Sequence, residues 1–231
     1  MTWILENLAL IGSLTLQHLR QSIIAIVLGV IVSIPLGWVA WRFRLVRGPI
    51  LVVTGLLYTI PSIALLTILP GLIGIPAFSE VNLIVALTIY AVALLSRSVS
   101  DGLDSVDPAV RLSATALGYG ALRRFFAVEL PLAGPVILSG LRVAVVSTVS
   151  LATVGILVGV QNLGYLFTNG LQRRIVEEVF AGVAAVVIIA VVFDLLLVLL
   201  ARLIMPWTRG AAPSRRVRRS AVAPDAAVGA L

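Results

Sequence analysis

Apolar positions along this chain gather into five long runs, roughly 21–41, 49–69, 81–96, 136–160 and 179–203. A helix needs about 20 mostly apolar residues to cross the hydrocarbon core of a bilayer. Open strands cannot cross lipid with their backbone unpaired. The pattern therefore predicts an all-α, polytopic membrane bundle of about five transmembrane helices. A shorter stretch, 3–16, cannot cross alone and reads as a sixth, interfacial helix leading into the first span.

Composition strengthens this reading. Mean hydropathy is +1.14, 60% of residues are hydrophobic and only 12% are charged. A soluble domain of this size would need far more polar surface. Every basic residue is an arginine. Arg42, Arg44 and Arg47 follow the first run. Arg97, Arg111, Arg123 and Arg124 lie between the third and fourth, and six more follow the fifth. The opposite side holds Arg20, Arg173 and Arg174. The positive-inside rule puts the rich side in the cytoplasm, the N-terminus outside and the C-terminus inside. Trp3, Trp38, Trp41 and Trp207 fall near run ends, as an interfacial belt requires. Residues 1–204 then form the permeation domain, and 205–231 form a basic tail expected to be disordered. No basic stretch precedes Arg20, and Glu6 lies among the first residues, which argues against a cleaved leader.

Absences exclude chemistry. Without lysine there is no G-x-x-x-x-G-K-[ST] phosphate loop and no Schiff base. Without cysteine and with His18 as the single histidine, the common zinc motifs and disulfides are out. No metal site is expected, and His18 reads as structural. A membrane-embedded enzyme finds no paired intramembrane acids to work with. The net charge of +7 is a topology signal rather than a nucleic-acid footprint, since most arginines flank apolar runs.

The segment from about 107 to 131 is too polar to be a span, yet it is patterned. Asp107 can cap a helix that starts at Pro108, and Gly118 and Gly120 can end it. A second helix is expected over about 121–130, with Pro131 stopping it and Pro135 starting the next span. Arg123 and Arg124 beside Phe125 and Phe126 make a mixed surface, suited either to a protein partner or to the membrane face.

The residues LSATALG, then VELPLAGPVILSG, resemble the cytoplasmic signature of permeases of ATP-binding-cassette (ABC) importers, a type I permease fold. Leu112, Ser113 and Ala114 fall on its Glu-Ala-Ala positions, Gly118 on its glycine and Pro131 on its proline. The glutamate is missing and the first alanine is a serine. The resemblance implies a pair of coupling helices, carrying Tyr119, Arg123 and Phe126 as well, that seat in an ATPase subunit. LYTIPSIALLTILPGLIGIP, IYAVALLSRSVSDGLDSVDPAV and SGLRVAVVSTVSLATVGILVGVQNLGYLFTNGL are similar to the osmoprotectant permeases, which import glycine betaine, choline or carnitine. Tyr58 stands where those usually have glutamine, Ala93 replaces a common proline and Ser98 a common asparagine. The implied partners are ABC ATPase subunits carrying ATP and magnesium, a second permease copy or paralogue, and an extracytoplasmic solute-binding protein. No cofactor is expected on this chain. The implied location is a bacterial or archaeal plasma membrane. A permease of the same plan for an amino acid or organic anion is the alternative.

Within the spans, Arg142 lies a few residues inside and Asp194 deeper on an antiparallel helix, a gap roughly within an arginine's reach. The two are expected to approach directly or through water, or else each to snorkel or bond backbone separately. Ala144, Thr148, Ala152, Gly155 and Gly159 form a stripe of small residues, for close packing inside the chain or along a dimer seam. Ser147, Ser150 and Thr153 add hydroxyls on neighbouring faces. Pro61 can bend the second span at a gate. Tyr58 and Tyr90 are the aromatic candidates for a pathway taking a quaternary ammonium. Gly164 and Tyr165, in the outer loop, are candidates for docking the solute-binding protein.

Overall fold

The computed structural model describes residues 2–207. The expected tail lies, from residue 208 onward, outside the described residues. Among the described residues the secondary structure is entirely helical. A short α1 (Thr2–Glu6) precedes α2 (Leu8–Arg42), a single helix of 35 residues. The interfacial helix expected over 3–16 is thus largely the N-terminal end of the first span. Nothing between Leu8 and Leu16 breaks a helix, so the span simply starts earlier.

The second span is two helices, α3 (Arg44–Thr59) and α4 (Ser62–Ile73), bent by 112° at Ile60–Pro61. Pro61 lacks an N–H and its ring crowds the carbonyl one turn back, and here the helix breaks. The third span, α5 (Glu80–Asp104), is longer than the sequence suggested. The Ser79 hydroxyl caps it by accepting from the Asn82 N–H at 3.2 Å.

After α5, Asp107 caps α6 (Pro108–Ala116), its Oδ1 accepting from the Ala109 N–H at 2.8 Å. Next comes α7 (Ala121–Arg124), which does not stop at Pro131. It widens into a π turn, Phe125–Glu129, and continues as α8 (Leu130–Ala152). The Leu130 N–H reaches back five residues to the Phe125 carbonyl. Widening gives the Pro131 ring room, so the helix passes the proline without stopping. A 3-10 turn, Thr153–Val158, ends this span. A surface helix α9 (Gly164–Arg173) and the last span α10 (Val176–Ile204) complete the fold.

The centre of the bundle is α5, with α2 and α8 on it. Helix α2 runs parallel to α5 and touches it through glycines. A Cβ on Gly29 would lie 2.6 Å from the Ala91 Cβ, and one on Gly37 would lie 2.5 Å from the Val99 Cβ. Helix α8 and the 3-10 turn after it run antiparallel, with Gly140 against Ser98 and Gly155 of the turn against Leu83. Lipid supplies no hydrophobic drive between helices, so such close backbone approach supplies the packing energy. Helix α10 joins through α8 and α9 and leaves most of its apolar surface outward.

Candidate coupling surface and intramembrane site

The segment 107–131 is a knob with an apolar crown. Leu112 is 72% exposed and Phe126 is 62% exposed, and Leu117 and Leu122 are exposed beside them. Gly118 makes the crown possible. Its φ of +82° ends α6 with the Gly118 N–H on the Thr115 carbonyl (3.0 Å) and the Tyr119 N–H on the Ala114 carbonyl (3.1 Å). This is the left-handed cap that glycine adopts without strain. Ser113 donates its hydroxyl to the Ala109 carbonyl at 2.9 Å, and Ala114 is buried. Arg123 lies over the Tyr119 ring, 4.7 Å from its centroid. Pro131 is half-buried at the base of α8 rather than on the crown. Leu112, where the family carries glutamate, points outward.

The base of the knob is polar and closed. Glu129 is buried, and its Oε1 accepts from Arg124 Nε at 2.8 Å. Arg124 Nη1 also donates to the Thr115 hydroxyl at 2.8 Å. Arg111 Nε lies 3.9 Å from the same Glu129 oxygen, and its Nη2 donates to the Leu103 carbonyl. The Arg111 guanidinium covers the Trp41 ring at 4.8 Å. None of Glu129, Arg111, Arg124 and Trp41 was singled out from the sequence for this role. The available signal was a lone acid, directly before Leu-Pro, in an arginine-rich loop. Trp38 sits edge-on to Phe125 at 6.2 Å, so two of the expected belt tryptophans are packing residues of this base.

Within the spans, the break at Pro61 and the two tyrosines form one unit. The Tyr90 hydroxyl donates to the Ile60 carbonyl, and the Tyr58 ring stands edge-on to Tyr90 at 6.0 Å. Tyr90 is buried, whereas Tyr58 is exposed. Asn82 holds the far side of the break by donating to the Leu66 and Ala77 carbonyls at 2.8 and 2.9 Å.

On a different face, Arg142 and Asp194 meet in a two-pronged pair, Nε to Oδ1 at 2.6 Å and Nη2 to Oδ2 at 2.7 Å. They lie in an open groove with Ser139, Val143, Val146 and Ser147. Ser150 is exposed one turn further on, and the Thr153 hydroxyl is spent on the Ser150 carbonyl at 2.7 Å. Among the described residues, no hydrogen bond joins these hydroxyls to the tyrosine pair, so the sequence-derived pathway residues fall into two groups.

The small-residue stripe divides as well. Ala144, Thr148, Ala152 and Gly155 are buried inside this chain, against α2 and α5. That is intramolecular packing, not a seam left open for a second copy. Gly159 does not belong to it. It ends the 3-10 turn with φ +73° and is exposed, because the helix has already closed.

The loop between the 3-10 turn and α9 is tied down by a polar network that the sequence analysis did not anticipate. Asn162 is fully buried and donates to Gln21 Oε1 (3.0 Å) and the Ala152 carbonyl (2.7 Å), and its own Oδ1 accepts from the Gly164 N–H at 2.8 Å. His18, one turn before Gln21 on α2, is also buried, its Nε2 3.0 Å from the Val149 carbonyl. Gly164 is therefore no docking residue. It is buried where any Cβ would collide with the Thr153 carbonyl. Tyr165 is half-buried against the α2–α10 side of the core.

A bundle of spanning helices built around broken and glycine-seamed contacts, with a rigid helical knob at its arginine-rich end, is the plan of a transport permease. The family profile described as "Binding-protein-dependent transport system inner membrane component" matches residues 10–210. The chain belongs to that family: it is a multi-pass inner-membrane permease, a transport subunit. It is 32% identical over 202 residues to the osmoprotectant import permease protein OsmW of Salmonella typhimurium, covering 84% of this chain and 92% of that one. It is 33% identical over 192 residues to the choline transport system permease protein OpuBB of Bacillus subtilis, covering 83% and 87%. Among solved structures it resembles an inward-facing conformation of the MetNI methionine ABC transporter. There the TM-score is 0.75, with 18% identity and 85% of this chain and 97% of that one covered. At that identity the likeness concerns the fold.

Proposed function

We propose that this chain is the permease subunit of an ATP-driven importer for small quaternary-amine osmoprotectants of the glycine betaine, choline and carnitine class. The observation that carries this reading is the match to osmoprotectant and choline permeases at about a third identity over nearly their entire length. ATP and magnesium bind on a separate ATPase, which seats on the Leu112–Leu117–Leu122–Phe126 crown. A solute-binding protein delivers from the opposite side. A second copy or paralogue supplies the other wall of the route. The arginine-rich end faces the cytoplasm, so the N-terminus lies outside.

The mechanism follows from the chain's own residues. The knob has no chemistry of its own; it offers a shape that an ATPase binds differently in its open and closed states. Only that difference in binding can shift the bundle between outward and inward access. The bend at Ile60–Pro61, held by Tyr90, is the place where a span can change direction without breaking a continuous helix. The exposed face of Tyr58 supplies a π surface for a quaternary ammonium. The Arg142–Asp194 groove supplies polar wall.

The test is reconstitution of the chain in proteoliposomes with an ATPase subunit and a solute-binding protein of the same transport system. Labelled glycine betaine, choline and carnitine should enter only with ATP and the loaded binding protein. Uptake of an amino acid with none of the three amines would overturn the substrate class.

A further inference from the structure

Glu129 is the sole acid between Pro108 and Pro131, and it points inward. Its side chain is 2% exposed, against 26% for Arg124 and 20% for Arg111. A carboxylate shut away from water persists as an anion only with close cationic partners. Here it has two, and each reaches a different part of the molecule. Arg124, from α7, extends past Glu129 to the Thr115 hydroxyl on α6. Arg111, from α6, lies by Glu129, bonds the Leu103 carbonyl near the end of α5 and stacks on Trp41 at the end of α2. One buried oxygen therefore sits where both coupling helices meet the cytoplasmic ends of two spans. The π turn ending at Glu129 sets this residue at the junction of α7 and α8.

We infer that Glu129 is a positioning residue that locks α6 and α7 to the ends of α2 and α5, so that displacement of the knob moves those spans as one body. The inference rests on the reading of the knob as the ATPase seat. The crown residues touch the motor; Glu129 touches none of it and acts through Arg111 and Arg124. With the lock intact, a push on α6 reaches Leu103 through the Arg111 hydrogen bond and Trp41 through the ring stack. Glu129, 3.9 Å from Arg111 Nε and hydrogen-bonded to Arg124, holds the two arginines together by charge. Without the carboxylate, two guanidinium groups face each other unneutralised across the base of the knob. The helices then shift under load, and hydrolysis runs without moving solute.

The experiment uses the complete reconstituted transporter, wild type and variants, and reads solute moved per ATP hydrolysed. Glu129→Gln keeps the shape and removes the charge. It should keep ATP hydrolysis while the ratio falls about tenfold, within the span of ordinary coupling free energies. Glu129→Asp keeps the charge and should recover part of the ratio, a rescue that a purely space-filling role would not produce. If Glu129→Gln does not accumulate in the membrane, Arg124→Gln, changed at the more exposed partner, makes the same test. An unchanged ratio in the variant that accumulates overturns the inference. A wild-type complex that moves no solute with ATP sinks the functional reading and this inference together, whereas an unchanged ratio sinks the inference alone.

Discussion

The Tyr90 hydroxyl donates a 2.5 Å hydrogen bond to the Ile60 carbonyl, the last peptide before the second span breaks at Pro61. The break frees backbone groups inside the membrane, where an unpaired carbonyl has no water to turn to. Tyr90 answers for one of them from the neighbouring helix. Tyr90→Phe should destabilise the protein by about 1–3 kcal/mol, the usual cost of orphaning a buried acceptor. Tyr58→Phe, at the exposed ring, should leave stability unchanged. Thermal unfolding in detergent compares the two, and equal melting temperatures for Tyr90→Phe and wild type would count against a structural role for this bond.

The Arg142–Asp194 pair bridges α8 and α10 with both prongs made. Removing one partner leaves the other charged within the membrane region, where single charges are costly. Asp194→Asn and Arg142→Gln should each lower the amount of folded protein recovered from membranes. The double variant Arg142→Met with Asp194→Leu should restore that amount, since an apolar pair carries no stranded charge. Size-exclusion profiles after detergent extraction read this directly, and a double variant no better than the singles would contradict it.

Gly118 has φ +82° and nothing within 4 Å of a built Cβ. Gly118→Ala is thus a test of backbone strain alone, about 1–2 kcal/mol at this one position. The strain relaxes by reshaping the end of α6, so the crown moves. Uptake should drop while membrane insertion stays at the wild-type level, and normal uptake would show that the cap geometry is dispensable.

Two glycines of α2 should respond oppositely to alanine. At Gly37 the added Cβ meets Val99 at 2.5 Å and the Ser96 carbonyl at 2.8 Å, whereas at Gly12 it meets nothing within 4 Å. Overpacking costs about 1–3 kcal/mol, which outweighs a helix-propensity gain of about 1 kcal/mol or less. Gly37→Ala should lower the melting temperature, and Gly12→Ala should hold or raise it. The same sign at both sites would refute the α2–α5 seam.

Much of the plan was legible in the chain itself. Apolar runs of about 20 residues, divided by arginines, dictated an all-helical membrane bundle, because a run of that length fits the bilayer as a helix that pairs its own backbone, whereas barrel strands are about half as long and alternate. Asp107-Pro108 and Gly118 marked both ends of α6, because capping and left-handed backbone are local properties of those residues. Pro61 marked the break for the same reason. Pro131 misled: a proline reads as a stop, and only the π turn before it, a feature of several residues together, let α7 run on into α8. Gly159 misled too, since its spacing continued a stripe that the 3-10 turn had already ended.

Depth along antiparallel spans already brought Arg142 and Asp194 together; the other meetings of distant residues were decided by the tertiary structure. Glu129 with Arg111 and Arg124, Asn162 with Gln21, and Tyr90 with the Ile60 carbonyl are each set by how the helices cross. Hydropathy reports what a residue avoids, which is water. It carries no information on which partner a buried polar atom finds, because that depends on helix rotation and register, and these are settled only when the whole bundle packs.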